Sequence, residues 1–326
     1  MNSYLFIFNL TLCMDFTLAA IAFVISIIII NVSQRAFLSN KVVDEINHRS
    51  SHTTTATRTG GLSIAATIIS LTFYFYLFGS DIYNFSLLIP LLILLSIGLY
   101  DDVYNVDFKL KFIFQIIAAK LIVDSGLIVD NFHGLFGLFE INRLIAHMIT
   151  IVIIVAIINS INFIDGIDGL AITIVALFIM LFEAFSTTNT PYIYLSTITV
   201  LAIVPLYYYN YRKKNKVFLG DSGSLFLGGL VSIYVLHILS NDYIIQDKFD
   251  INKIIFVFSI LPYPIIDFTR IFFKRIINRR SPFLADKNHI HHKLLNYFSS
   301  HIVVVSIIIS SSIIIFLLSQ GYNFFN

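Results

Sequence analysis

The chain has 326 residues, 57% of them hydrophobic and only 12% charged, with a mean hydropathy of +0.86. That balance excludes a water-soluble globular domain. The single cysteine, Cys13, excludes an intramolecular disulfide and a cysteine metal cluster, and no motif points to nucleic acid.

In chain order, apolar runs long enough to cross a bilayer, about 20 residues each, fall at 16–32, 62–79, 84–100, 110–129, 144–161, 167–185, 191–209, 223–240, 254–273 and 301–319. A stretch at 4–12 is too short to span, and it lacks the basic flank and cleavage site of a signal peptide. The fold class is therefore an all-α polytopic integral membrane protein of about ten transmembrane helices, one domain over residues 1–326. Of the 21 Lys and Arg, all but Lys120, Arg143, Lys248 and Lys253 fall in loops after odd-numbered spans. Those loops are expected to be cytoplasmic and both termini outside.

Four stretches on that expected cytoplasmic side do not read as ordinary connectors. They are LYDDVYNVD at 99–107, NSINFIDGIDGLA at 159–171, FLGDSGSLFLGG at 218–229 and SPFLADKNHIHHKL at 281–294. Charge near lipid is costly and marks a pathway or an active site. Four such loops on one face suggest one shared site.

Asp165 and Asp168 are three apart and point together if their turn is helical. Gly166 and Gly169 let a ligand approach the backbone. Asp221 precedes an apolar run, where helix N–H groups favour an anion and the carboxylate a hard cation. A magnesium ion shared with substrate phosphates satisfies both. Asp101 and Asp102 project about 100° apart on a helix and are not expected to share one metal unless the helix has ended. The cations Arg279, Arg280, Lys287 and Lys293 surround His289, His291 and His292. Acids in three loops and cations in a fourth suit a phosphorylated substrate with a metal ion.

Bland readings stand beside these. Asp44 and Asp107 read as solvated loop acids, and His147 and His237 as core histidines. Asp267 reads equally as a structural hydrogen-bond partner or a substrate contact. Helix capping by aspartate explains any one of Asp165, Asp168 and Asp221, but not all of them on one face. A polytopic transporter is the rival from another class. It would place charged half-helices at the membrane midplane, whereas these acids lie at span ends.

The ordered set NFIDGIDGLA, FLGDSGSLFLGG, the YDD after span three and the HIHH loop resembles the polyprenyl-phosphate N-acetylhexosamine-1-phosphate transferases of glycosyltransferase family 4, with their MraY-like fold. The resemblance covers nearly the whole chain. It implies transfer of N-acetylhexosamine-1-phosphate from a UDP-sugar to undecaprenyl phosphate, releasing UMP. The implied cofactor is Mg²⁺, with Mn²⁺ as the alternative, and the implied place is the bacterial cytoplasmic membrane. Membrane lipid and a homodimer partner are further expectations.

By the same resemblance Asp221 is the metal-binding aspartate, and Asp101 and Asp102 act in catalysis. Asn162, Asp165, Gly166, Asp168 and Phe218 are nucleotide-binding. Arg58, His289, His291 and His292 bind sugar and phosphate. HIHH, with SPFLADKN before it, is similar to the branch that initiates surface glycans, with GlcNAc-1-phosphate as the expected group. The alternative is the phospho-MurNAc-pentapeptide transferase of peptidoglycan synthesis. The chain departs from the family where Asn-x-x-Pro-Ala normally precedes the FLGD motif: here the sequence is NYRKKNKVFLGD, with Asn210 displaced.

Overall fold

The computed structural model describes residues 2–44, 55–79, 85–240, 242–247, 251–279 and 288–321. Lys248, Arg280, Lys287 and the 281–287 part of the HIHH loop lie outside the described residues. The order is α1 (Asn2–Ser39), β1 (Ala56–Thr57), α2 (Gly60–Leu77), α3 (Leu88–Tyr104), α4 (Phe108–Asp124), α5 (Arg143–Ile164), α6 (Leu170–Phe185), α7 (Ile193–Tyr211), β2 (Lys216–Val217), α8 (Gly220–Leu239), α9 (Lys253–Ile260), α10 (Pro262–Ile277), α11 (Ile290–Phe298) and α12 (His301–Gly321).

Seven of these helices are long and apolar enough to cross a membrane, and the α9–α10 pair makes an eighth span if counted as one. The protein is a multi-pass, all-α membrane protein. The other two of the ten expected spans correspond to α4 and α6, helices of 17 and 16 residues. α6 is short because the DGIDG turn takes the residues before Leu170. α4 carries Lys109, Lys111, Gln115, Lys120 and Asp124 on a single short helix. The ninth span is broken: α9 and α10 meet at 91°. α9 ends at Ile260, Leu261 lies between the two helices, and Pro262, with no N–H to give to the preceding turn, starts α10.

α8 is the core. Every residue of it except Asp221 is buried, as expected of a helix apolar all round. α3, α5, α2 and α6 pack around it. The close approach of α2 depends on Gly61, where an added Cβ would stand 2.0 Å from the Gly223 nitrogen; small residues at helix contacts let backbones meet in this way. α1 and α12 lie outermost, with Phe16, Val24, Ile28, Val32, Ile314 and Leu318 exposed. α10 turns Tyr263, Asp267 and Arg275 inward and leaves Ile266, Phe273 and Ile277 exposed. Its polar side therefore faces protein, the reverse of a helix in water.

A two-residue parallel ladder ties the ends of this bundle together. Ala56 pairs with Lys216 and Thr57 with Val217. The first turn of α2 continues it, with Gly60 and Gly61 N–H donating to Phe218 and Leu219 carbonyls at 2.9 and 2.8 Å. This brings Arg58 against the start of α8, across 160 residues of intervening chain.

Candidate active site

The end of α3, the start of α4 and the start of α8 meet. Lys111 Nζ donates to Asp101 Oδ2 at 3.0 Å and to Asp221 Oδ2 at 2.7 Å. Asp101 Oδ1 accepts the Val106 N–H at 2.6 Å. Asp102 turns the other way, as adjacent helical residues must. Its two oxygens accept the N–H groups of Asp221 and Ser222 at 2.8 and 2.9 Å, and its side chain is 0% exposed. Asp102 thus caps α8. The expected catalytic pair is split: Asp101 belongs to the charged centre, while Asp102 holds the backbone that carries Asp221.

Arg58 lies over this pair. It bonds Asp44 at 2.5 Å and stands 4.0 Å from Asp102. These residues, with Phe37, Lys41, Val42, Val43, Val103 and Asn105, line a cavity of about 320 Å³. Asp44, expected to be a solvated loop acid, instead anchors Arg58.

The FIDGIDG turn is not helical, so Asp165 and Asp168 do not point together. Asp165 follows the last residue of α5, and Gly169 turns the chain with φ +80° before α6. Asp168 is buried and pairs with Lys216 Nζ and with His301 Nδ1, the latter at 3.0 Å. Burial alone would raise its pKa, but His301 and Lys216 outweigh burial and hold it below the usual value. The Tyr211 hydroxyl donates to the Asp168 carbonyl at 3.0 Å. The Asp165 main-chain N–H donates to the Asn162 carbonyl at 3.3 Å, and its carboxyl makes no hydrogen bond to another described residue. Burial first, then the charges of Asp221 and Asp102, push its pKa well above the usual range. Asn162 Nδ2 donates to Ser224 Oγ at 2.8 Å, which ties the end of α5 to α8.

The Lys216 ammonium lies 5.9 Å from the centre of the Phe218 ring. Asp168, Lys216 and Phe218 therefore form one polar and aromatic wall. Asn210 does not line it: its Nδ2 donates to the Val217 carbonyl at 3.0 Å, and its Oδ1 is buried with no partner among the described residues. It braces β2.

The HIHH segment closes the site over Gly166. An added Cβ there would stand 2.8 Å from His291 Nε2 and 3.1 Å from His292 Nε2. His289 is turned toward α10, its Nδ1 donating to Asp267 Oδ2 at 2.6 Å. Asp267, at 0% exposed, is therefore the structural partner of this loop.

The description "Glycosyl transferase family 4" matches residues 84–239, which hold α3 to α8 and all the acids of the centre. The chain is 31% identical over 293 residues to a Bacillus subtilis (strain 168) protein named "Probable undecaprenyl-phosphate N-acetylglucosaminyl 1-phosphate transferase", covering 86% of this chain and 78% of the relative. It is 33% identical over 265 residues to the undecaprenyl-phosphate alpha-N-acetylglucosaminyl 1-phosphate transferase of Pasteurella multocida (strain Pm70), covering 78% and 71%. The decaprenyl-phosphate N-acetylglucosaminephosphotransferase of Mycobacterium tuberculosis (strain H37Rv) is 28% identical over 282 residues, covering 78% and 69%.

The chain belongs to glycosyl transferase family 4. As a family 4 protein it is a sugar-phosphate transferase. Three residues of this family 4 site carried no signal of their own in the sequence. Lys111 read as one more basic residue on the expected cytoplasmic side, and Tyr263 and His301 fell within the apolar runs 254–273 and 301–319. Each is identified only by its partners.

The residues fit a divalent cation. Asp101 and Asp221 already share one positive charge, the Lys111 ammonium, between oxygens of two different helices. Two carboxylates with substrate phosphates are the donor set that Mg²⁺ takes.

Proposed function

We propose that this protein transfers N-acetylglucosamine-1-phosphate from UDP-N-acetylglucosamine, or a close N-acetylated relative, to undecaprenyl phosphate, releasing UMP and starting a cell-surface glycan. The observation that carries this reading is the shared Lys111 contact of Asp101 and Asp221 at the bundle end where the Asp168–Lys216–Phe218 wall and the histidine loop also meet. The names of the relatives from Bacillus subtilis and Pasteurella multocida support the sugar and the lipid. The site end is the cytoplasmic face of the bacterial inner membrane in this reading, in keeping with its Lys and Arg content.

The acceptor is a phosphate monoester with a second pKa of about 6, so much of it is a dianion at neutral pH. One of its oxygens bonds to the sugar-bearing phosphorus of the donor. The bond from that phosphorus to the bridging oxygen breaks, and UMP leaves with the electron pair. The barrier is the approach of two anions, which cationic groups lower. Lys111 and Arg58 supply positive charge from this chain. Asp221 and Asp101 would hold Mg²⁺ or Mn²⁺, which neutralises diphosphate charge when bound. Phe218 offers its ring face to the uracil, and Asn162, Asp165, Gly166 and Asp168 line the nucleotide side. His291 and His292 face the sugar phosphate across Gly166.

Membranes containing the protein should release UMP from UDP-N-acetylglucosamine only when undecaprenyl phosphate is added, with a lipid product of the corresponding mass. Transfer from UDP-MurNAc-pentapeptide with none from simple N-acetylhexosamines would assign the peptidoglycan reaction instead. No UMP release from any UDP-sugar would overturn the reading and favour a transporter. Asp221→Asn should abolish release while the protein still inserts and purifies normally.

A further inference from the structure

α10 holds the two buried histidines of the HIHH segment in opposite ways. Asp267 Oδ2 accepts from His289 Nδ1 at 2.6 Å, while Oδ1 accepts from Ile290 N–H at 3.0 Å and Arg270 Nη2 at 2.8 Å. A carboxylate held by arginine and a main-chain N–H only accepts, so the His289 hydrogen sits on Nδ1. Tyr263 does the reverse to His291. Its hydroxyl oxygen accepts the His291 main-chain N–H at 3.2 Å and stands 2.9 Å from His291 Nδ1. Among the described residues the phenolic hydrogen has no other acceptor, so it points at Nδ1 and leaves the His291 hydrogen on Nε2.

That Nε2 is buried and, among the described residues, has no hydrogen-bond partner. It faces Gly166, the one glycine of the turn whose missing Cβ would meet a histidine nitrogen, at 2.8 Å. Burial, with His292 and His289 beside it, holds the His291 imidazole down at about 3. The ring is neutral, and a donor fixed on one nitrogen is all it offers. A buried N–H without an acceptor is unfavourable and rewards any oxygen that reaches it.

We propose that Tyr263 is a positioning residue that fixes His291 in its Nε2–H form, so that His291 donates to an oxygen of the sugar phosphate brought against Gly166. This rests on the transferase reading above. A cationic clamp would serve any phosphate. A neutral donor set by a second residue serves geometry, because it binds only an acceptor at the correct place. Asp267 keeps the neighbouring His289 ring, stacked 5.4 Å away, in the opposite form.

The test compares full-length protein, wild type and variants, in UMP release from UDP-N-acetylglucosamine with undecaprenyl phosphate. Glutamine places an amide N–H near the histidine Nε2 position, and asparagine places it near Nδ1. His291→Gln should stay within about tenfold of wild type in kcat/KM, and His291→Asn should lose about a hundredfold or more, because the site leaves an acceptor unpaired. Tyr263→Phe should raise the KM for the UDP-sugar by about tenfold and leave the KM for the lipid unchanged. Melting midpoints recorded alongside separate these effects from loss of fold; if Tyr263→Phe does not fold, the glutamine–asparagine contrast decides. Equal activity of the two His291 variants, or a folded Tyr263→Phe with an unchanged donor KM, overturns the assignment. A wild-type protein that releases no UMP overturns the transferase reading and this inference with it.

Discussion

Asp102 accepts the main-chain N–H groups of both Asp221 and Ser222, at 2.8 and 2.9 Å, from a side chain wholly shielded from solvent. The first turn of α8 is therefore held by a residue of α3, and the position of the Asp221 carboxylate depends on it. Asparagine at 102 can accept with only one oxygen and presents an amide N–H₂ to the second N–H. Asp102→Asn should cost about 1–2 kcal/mol of stability and lose activity together with it. Asp101→Asn should lose transfer with a smaller change in melting midpoint, because its carboxylate holds one main-chain N–H, that of Val106, where Asp102 holds two. Equal melting midpoints for the two variants would contradict the division of roles.

Asp165 gives a prediction of opposite sign. Its pKa is raised in the folded protein by burial and by Asp221 and Asp102. A carboxyl of this kind binds more protons folded than unfolded, so stability falls as pH rises from the unfolded value of about 4 through the folded one, and stays low above it. Asp165→Asn removes that penalty. It should raise the melting midpoint at neutral pH, by about 1 kcal/mol or 2–4 °C for a chain of this size, while transfer is lost. Below pH 4 the gain should vanish. A variant that melts lower at pH 7.5 would place Asp165 in a contact that stabilises its charge.

Asp168 behaves the other way. His301 and Lys216 hold its pKa below the usual value against the effect of burial. It contributes stability that is present above the unfolded pKa of about 4 and is lost as pH falls through the folded value. His301→Ala should lower stability at pH 6–8 by about 1 kcal/mol and should weaken UMP binding, since the Asp168 wall loses a support. Calorimetric titration of UMP into both proteins measures this. Unchanged affinity would remove Asp168 from the nucleotide side.

Gly61 tests the packing on which the site rests. Alanine there would put a methyl 2.0 Å from the Gly223 nitrogen and 2.1 Å from its Cα, both backbone atoms of the central helix. Gly61→Ala should cost at least about 3 kcal/mol and leave little folded protein in membranes. Gly137→Ala meets nothing within 4 Å and should cost about 1 kcal/mol, from its positive φ alone. Similar expression of both variants would show that α2 and α8 can separate.

What the sequence by itself determined is the membrane character, the succession of helices and the four loops that gather at one end. Those are local properties: hydropathy is read within about 20 residues, and NFIDGIDGL or FLGD announces itself within ten. The tertiary structure alone decided what each acid touches. Lys111 reaches Asp221 across 110 positions of chain, and His301 reaches Asp168 across 133. No window over the sequence holds both partners, and an isolated lysine or histidine at a helix start has an ordinary explanation. The divergence of Asp101 and Asp102 follows from helical geometry, but which one caps α8 depends on how α3 packs against it. The turn at 165–169 could have been helical by spacing; Gly169 at φ +80° and the Tyr211 contact made it a bend, and so sent Asp165 and Asp168 to different partners. Likewise Pro262 announced a break, and only packing made it a 91° corner that turns Tyr263 and Asp267 onto the histidines.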